Sequence, residues 1–146
     1  MMIIRKATPS DIKGIIALGL ASLEKDAYEN LIISPDRMQA LAQECVSASC
    51  NFAWVAEKDG LIVGAVGAIV TDMLFYERKQ ASVVQFFCNE PGQGVKLLRE
   101  FMKWCESRPA IKMVCFTLEY NADPRIGLLL NRLGLKQELP VYLKMM

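Results

Sequence analysis

Phe87-Cys-Asn-Glu-Pro-Gly-Gln-Gly-Val-Lys-Leu-Leu98 runs from an apolar segment, through a kink with two glycines, into a stretch with helical spacing. A helix start of this kind has unpaired N–H groups and a partial positive charge, so it binds anions without cationic side chains. Gly92 and Gly94 let the backbone come close to a ligand. Downstream, Lys96, Arg99 and Lys103 fall on one helical stripe that would meet further phosphates. The same letters also spell a tight turn followed by a solvated helix face, and the stretch alone leaves both readings open. It has neither the Gly-Lys-Ser/Thr ending of a Walker A loop nor a G-x-G-x-x-G dinucleotide fingerprint.

Working outward, residues 82–88 read as a strand apolar on both faces, and 111–118 as another, so both are expected in the middle of a sheet. Leu97, Leu98, Phe101 and Cys105 mark the inner stripe of the helix between them, which Pro109 ends. Towards the N-terminus, residues 3–6 form a short strand. Thr8-Pro9-Ser10-Asp11 then opens a helix whose buried stripe is Ile12, Ile15, Ile16, Leu20 and Leu23. Ser34-Pro35 opens a second, with Met38, Leu41, Ala42 and Cys45 inward. Residues 52–58 and 61–71 are two strands joined by Asp59-Gly60, the two-residue signature of a hairpin. Gly64 and Gly67 inside the return strand point to a bulge or a close backbone approach. Residues 72–80 read as a loop. Asp123-Pro124 opens a last helix through Leu128, Leu129 and Leu133 that Gly134 closes, and 141–145 read as a final strand. The order β-α-α-β-β-β-α-β-α-β predicts a single-domain α/β (α+β) chain over 1–146, a mixed, mostly antiparallel sheet with helices on both faces.

Composition narrows the function. Of 146 residues, 53% are hydrophobic and 23% charged, which suits one globular domain. The net charge of +1 supplies no electrostatic footprint for nucleic acid. The longest apolar run, residues 61–70, is too short to span a membrane, and the opening residues lack a signal-peptide layout, so no membrane association is expected. Five cysteines without CxxC spacing read as reduced thiols of a cytoplasmic protein. There is no histidine, which excludes Ser-His-Asp and Cys-His catalysis and the usual imidazole zinc sites, and no metal is expected.

The element order, with the kink between the fourth strand and third helix, resembles the GCN5-related N-acetyltransferase (GNAT) family. Asn89-Glu90-Pro91-Gly92-Gln93-Gly94 has the spacing of its Gln/Arg-x-x-Gly-x-Gly/Ala motif, and Leu129-Leu130-Asn131-Arg132-Leu133-Gly134-Leu135 looks like its Leu-Tyr-Glu-Lys-Leu-Gly-Phe helix ending. The opening Ile4-Arg-Lys-Ala-Thr-Pro-Ser-Asp-Ile12 and Tyr142-Leu143-Lys144 also resemble the family's first and last elements, closest to the small acetyltransferases of bacteria and phages. The resemblance implies acetyl-CoA as co-substrate. Backbone amides of the loop would hold its pyrophosphate, and Phe86, Phe87 and Cys88 would pair with the pantetheine arm. Asn89, Gly92, Gln93, Gly94, Val95, Lys96, Asn121 and Asp123 complete the implied cofactor contacts. It further implies transfer of an acetyl group to the amine of a small molecule or a protein. The family's thiolate-protonating tyrosine aligns with Leu130, and Asn89 and Glu90 stand where other residues are usual.

Acetyl transfer to an amine needs a deprotonated amine, a polarised thioester carbonyl and a stabilised thiolate. A backbone N–H at the end of the fourth strand serves the second need. Glu119 and Tyr120, at the end of the fifth strand, are the candidate base and acid, and Gln85 is the only amide of the fourth strand. Trp54, Phe75 and Tyr76 are candidate walls of an acceptor pocket. A second reading stays open: the fold kept as a binding module without a working CoA site. A plugged gap between the fourth and fifth strands favours the module, an open one the enzyme. Exposed apolar strand and loop residues leave room for a homodimer.

Overall fold

A computed structural model describes residues 1–23, 31–118 and 123–146. Five strands, β1 (Met2–Lys6), β2 (Phe52–Lys58), β3 (Leu61–Asp72), β4 (Lys79–Cys88) and β5 (Ile111–Phe116), form one sheet in the order β1-β2-β3-β4-β5. β1 to β4 pair antiparallel, and β5 lies parallel to β4. A parallel pair needs a crossover, and α3 (Gln93–Glu106) supplies it. α1 (Ile12–Leu23) and α2 (Pro35–Ser47) cover one face of the sheet, and α3 the other.

The two faces bury separate cores. Ile15, Leu18, Ala42, Cys45, Val55 and Ala65 pack beneath α1 and α2. Phe52, Val66, Leu97, Leu98, Phe101 and Leu130 pack beneath α3, where α4 (Pro124–Arg132) adds its Leu130. Leu18, not Leu20 or Leu23, completes the buried stripe of α1. Burial pushes the thiols of Cys45 and Cys105 up to about 11, so these two are inert packing groups.

Local signals set the element ends. Asp59 and Gly60 both have positive φ (50° and 83°), as a type I′ hairpin turn requires. Ser34 accepts from the Arg37 N–H at 3.3 Å, and Asp123 from the Arg125 N–H at 2.9 Å, so each caps its helix. At the end of α4, the Gly134 N–H donates to Asn131 O (3.1 Å) and the Leu135 N–H to Leu130 O (2.9 Å), a Schellman ending.

Three expectations change. β4 starts at Lys79, inside the expected 72–80 loop, because its first residues pair with β5 as well as β3. β5 lies at the sheet edge and not within the sheet. The reason is the third change: residues 141–145 form no strand and stand exposed, although their pattern suits one. A strand exists only where a partner edge takes up its backbone groups.

The start of the first helix carries a half-buried ion pair. Pro9–Asp11 is a single 3-10 turn leading into α1. Asp11, 7% exposed, accepts from both terminal nitrogens of Arg5 (2.7 and 2.9 Å) and from the Thr8 N–H (2.7 Å). Arg5 also reaches Glu57 at 3.3 Å, so β1, β2 and the start of α1 are tied together. Chiefly through the Arg5 hydrogen bonds, the Asp11 carboxyl is pushed from its ordinary 3.8 down to about 2. A depressed folded-state value stabilises the fold above the unfolded value and is lost as pH falls through the folded one. Urea melts should therefore lose about 2 kcal/mol through Asp11 between pH 4 and pH 2, estimated from the shift. Asp11→Asn should remove that part of the acid-side fall. An unchanged slope in the variant would show that the pair does not couple to folding.

Candidate functional site

β4 pairs with β3 along its whole length, with one extra residue, Val84, between the Gly67–Gln85 and Ala68–Val83 partners. On its other side β4 meets β5 only over Lys79–Val83, opposite Ile111–Phe116. From the bulge onward the two parallel strands therefore part. The outward backbone groups of residues 84–88 have no strand partner on that side among the described residues, and a ligand's amides can pair with them as a strand would.

The side chains of this segment sort by face. Phe86 packs on the α3 side, its ring edge-on to Phe116 at 5.6 Å between centroids. Phe87 packs on the other side, close to Gly19 of α1. Gln85 is buried, with its amide oxygen near Gly67 on the α2 side. This placement puts Gln85 against α2, whereas reading the strand alone makes it a candidate for chemistry. Cys88 is half-buried. Burial pushes its thiol up, and the Sγ–H donates to Glu90 O at 3.2 Å.

The free edge of β4 ends at the start of α3. The Asn89 N–H still donates to Val63 O (3.0 Å), and its side chain is exposed. Gly92 is the N-cap with φ 81°, and an added Cβ there would meet nothing within 4 Å. Any side chain but glycine is strained in this conformation, so the cap leaves the helix end open. No side chain caps α3 and no acid lies in its first turn. The Gly94 and Val95 N–H groups lie in the first turn without an intrahelical partner, whereas the Lys96 N–H makes the first helical bond, to the Gly92 carbonyl.

Charges around this end favour an anion. Glu90, the acid that sits awkwardly in the loop, accepts from Lys58 Nζ at 2.7 Å and is neutralised by β2. Lys96 and Arg99 are exposed on α3, and Lys103 pairs with Glu100 at 3.2 Å. Two further observations bear on ligand fit. Gln93, 8% exposed, has an Oε1 atom with no hydrogen-bond partner, which costs free energy unless a donor reaches it. A Cβ on Gly94 would come within 3.0 Å of the Phe86 ring, so helix and strand meet closely only because this residue is glycine.

Other candidates fall elsewhere. Glu119, Tyr120 and Asn121 lie outside the described residues. The Asp123 carboxylate is held by the Arg125 guanidinium (2.7 Å), which lowers its pKa, and serves as the cap of α4. Leu130 is buried against Leu98, Phe101 and Phe116, so the position that aligns with a tyrosine belongs to the core. Trp54 stacks on Phe52 (6.1 Å) within the α3-side core, while Phe75 and Tyr76 are exposed in the loop before β4. The pairing of Lys58 with Glu90 and the burial of Gln93 escape sequence reading. The first joins residues far apart in the chain, and the second depends on how α3 seats against β4.

No protein-family model matches the chain, and no curated protein matches it in sequence. Solved structures do match, over nearly all of both chains. A predicted acetyltransferase from Clostridium acetobutylicum, solved with acetyl-CoA, aligns with TM-score 0.78 at 16% identity, over 100% of this chain and 96% of that one. Glucosamine-6-phosphate N-acetyltransferase from Arabidopsis thaliana aligns with TM-score 0.72 at 17% identity, over 99% and 98%. An aminoglycoside N-acetyltransferase in complex with CoA aligns with TM-score 0.71 at 13% identity, over 100% and 95%. The chain has the GNAT fold.

Proposed function

We propose that this chain is an acyl-CoA-dependent N-acetyltransferase that moves an acetyl group from acetyl-CoA directly to an amine. What carries the reading is one arrangement: the free edge of β4 beyond Val84, leading into the uncapped start of α3. The residues present fit this co-substrate. The unpartnered Gln93 oxygen and the close approach that Gly94 allows lie beside the loop, and Lys58 pairs with Glu90 and offsets its charge. Solved relatives of the same fold that hold acetyl-CoA or CoA add support.

Bound acetyl-CoA would supply the thioester and the leaving thiolate. In this reading the amides of Gly94 and Val95 at the start of α3 hold the pyrophosphate, and Lys96 adds its ammonium. Backbone groups of Phe86 to Cys88 pair with the pantetheine arm. A backbone N–H on the free edge of β4 polarises the thioester carbonyl without any special side chain. Leu130 is excluded as proton donor by its burial and chemistry. Glu119 as base and Tyr120 as acid are the titratable pair we assign to proton transfer.

Isothermal titration with acetyl-CoA tests the co-substrate. Saturable one-to-one binding is expected, and no heat at millimolar ligand would remove the proposal. That negative result would favour the binding-module reading, which one observation supports: Phe86 fills part of the gap against Phe116. Thiol release in the presence of amino sugars or lysine peptides then sorts small-molecule from protein acceptors.

A further inference from the structure

We infer that Lys58 sets the affinity for the anionic end of the co-substrate, as a positioning residue that acts through the charge of Glu90. This rests on the reading of the α3 start as the pyrophosphate site. Glu90 is the one acid between Asn89 and Arg99. It stands just before the Gly92 cap, so its carboxylate lies on the approach to the open helix end. Left alone there, it would repel the anion that the free amides attract. Lys58, the last residue of β2, places its Nζ 2.7 Å from that carboxylate.

Two observations separate this role from that of a structural tie. First, the loop keeps its path without the pair. The Asn89 N–H donates to Val63 O (3.0 Å), the Gln93 N–H to Glu90 O (3.3 Å) and the Cys88 Sγ–H to Glu90 O (3.2 Å). Second, the pair faces solvent, with the Lys58 side chain 47% exposed and that of Glu90 27%. An exposed ion pair contributes little to folding. What its two charges govern is the field at the helix end, where they act on an anion a few ångströms away.

The two partners therefore pull affinity in opposite directions, although removing either breaks the same contact. Without Lys58, the Glu90 carboxylate opposes the ligand. Without the Glu90 charge, the Lys58 ammonium is released and joins Lys96 and Arg99, both exposed on α3, as a cation facing the pyrophosphate. Glu100, the next acid along α3, is already held by Lys103 at 3.2 Å and does not replace Glu90 in this balance. A tie that only held the loop in place would shift affinity the same way whichever partner is lost.

Isothermal titration with acetyl-CoA is the test, on the parent chain, Lys58→Met, Glu90→Gln, the double variant and Lys58→Arg. Lys58→Met should weaken binding about tenfold and Glu90→Gln should tighten it about threefold, the scale of one surface charge a few ångströms from an anion. The double variant and Lys58→Arg should both stay within about twofold of the parent, since each keeps the charges balanced. In about 1 M salt the differences should shrink, because screening then reaches down to about 3 Å. Single variants that bind like the parent overturn the inference. Weakening in both Lys58→Met and Glu90→Gln also overturns it, since the pair would then be a tie. A parent chain that binds no acetyl-CoA removes the co-substrate reading and this inference with it, whereas a parent that binds alongside unaffected variants removes the inference alone.

Discussion

Replacing Phe101 by alanine should cost about 3–5 kcal/mol, the range for a large aromatic removed from a packed core. A small domain of this kind has only about 5–15 kcal/mol in total, so the variant should sit near the edge of folding. The magnitude follows from its surroundings. Phe101 is 2% exposed, meets Phe52 edge-on at 5.3 Å and stacks with Trp104 at 6.4 Å. Trp104 is in turn covered by the Arg108 guanidinium, 4.5 Å from its ring centre. Phe52 belongs to β2 and the other two to α3, so the cluster fastens the crossover helix to the sheet. Little can move in to fill the gap, since Leu97 and Leu98 beside it are already fully buried. The check is the urea midpoint, at unchanged slope, for Phe101→Ala against the parent. A loss below about 1 kcal/mol, the scale of a single methylene, would mean that α3 is held by something other than this cluster. Because α3 carries the open helix end, such a result would also undercut the rigidity assumed for the site.

What the sequence made legible was whatever is decided within a few residues. Thr8-Pro9, Ser34-Pro35 and Asp123-Pro124 mark three helix starts, Asp59-Gly60 a hairpin and Gly134 a helix end, and all five lie where local chemistry puts them. The 52–58 strand matched residue for residue for the same reason, since turn residues bound it on one side. Legibility stopped where a partner distant in the chain decides. Lys79 and Gln80 look like loop and become strand because β5 lies alongside. Residues 141–145 look like strand and form none, while the outer edge of β5 has no strand partner among the described residues. The site divides in the same way. Its location at Gly92 to Lys96 is local and readable. The parting of β4 from β5 depends on the bulge at Val84, of which Gly67 opposite was only a hint. The neutralisation of Glu90 by Lys58 spans 32 positions and leaves no pattern in the sequence.

Gly92→Asp should weaken acetyl-CoA binding by roughly tenfold to a hundredfold, that is by about 1.4 to 2.8 kcal/mol. The position is exposed, and an added Cβ meets nothing within 4 Å, so the carboxylate has room to fold onto the first turn of α3. There it would take the free amides for itself, an interaction of about 0.3–1 kcal/mol with the helix end at an exposed site. It would also repel a pyrophosphate in contact range, by up to about 4 kcal/mol before salt screening. Any side chain is strained at φ 81°, but Asp and Asn, which visit the left-handed region more readily than other residues, share that strain. Gly92→Asn is therefore the control: the same shape and strain without the charge. If the start of α3 holds the pyrophosphate, the Asn variant should stay within about threefold of the parent, well under one tenfold step. Added salt should narrow the gap between the two variants, since screening at 1 M reaches down to about 3 Å. Equal affinities for Asn and Asp would take the phosphate away from this helix end even if acetyl-CoA still binds. That outcome separates an error about the loop from an error about the co-substrate, which the titration of the parent chain decides on its own.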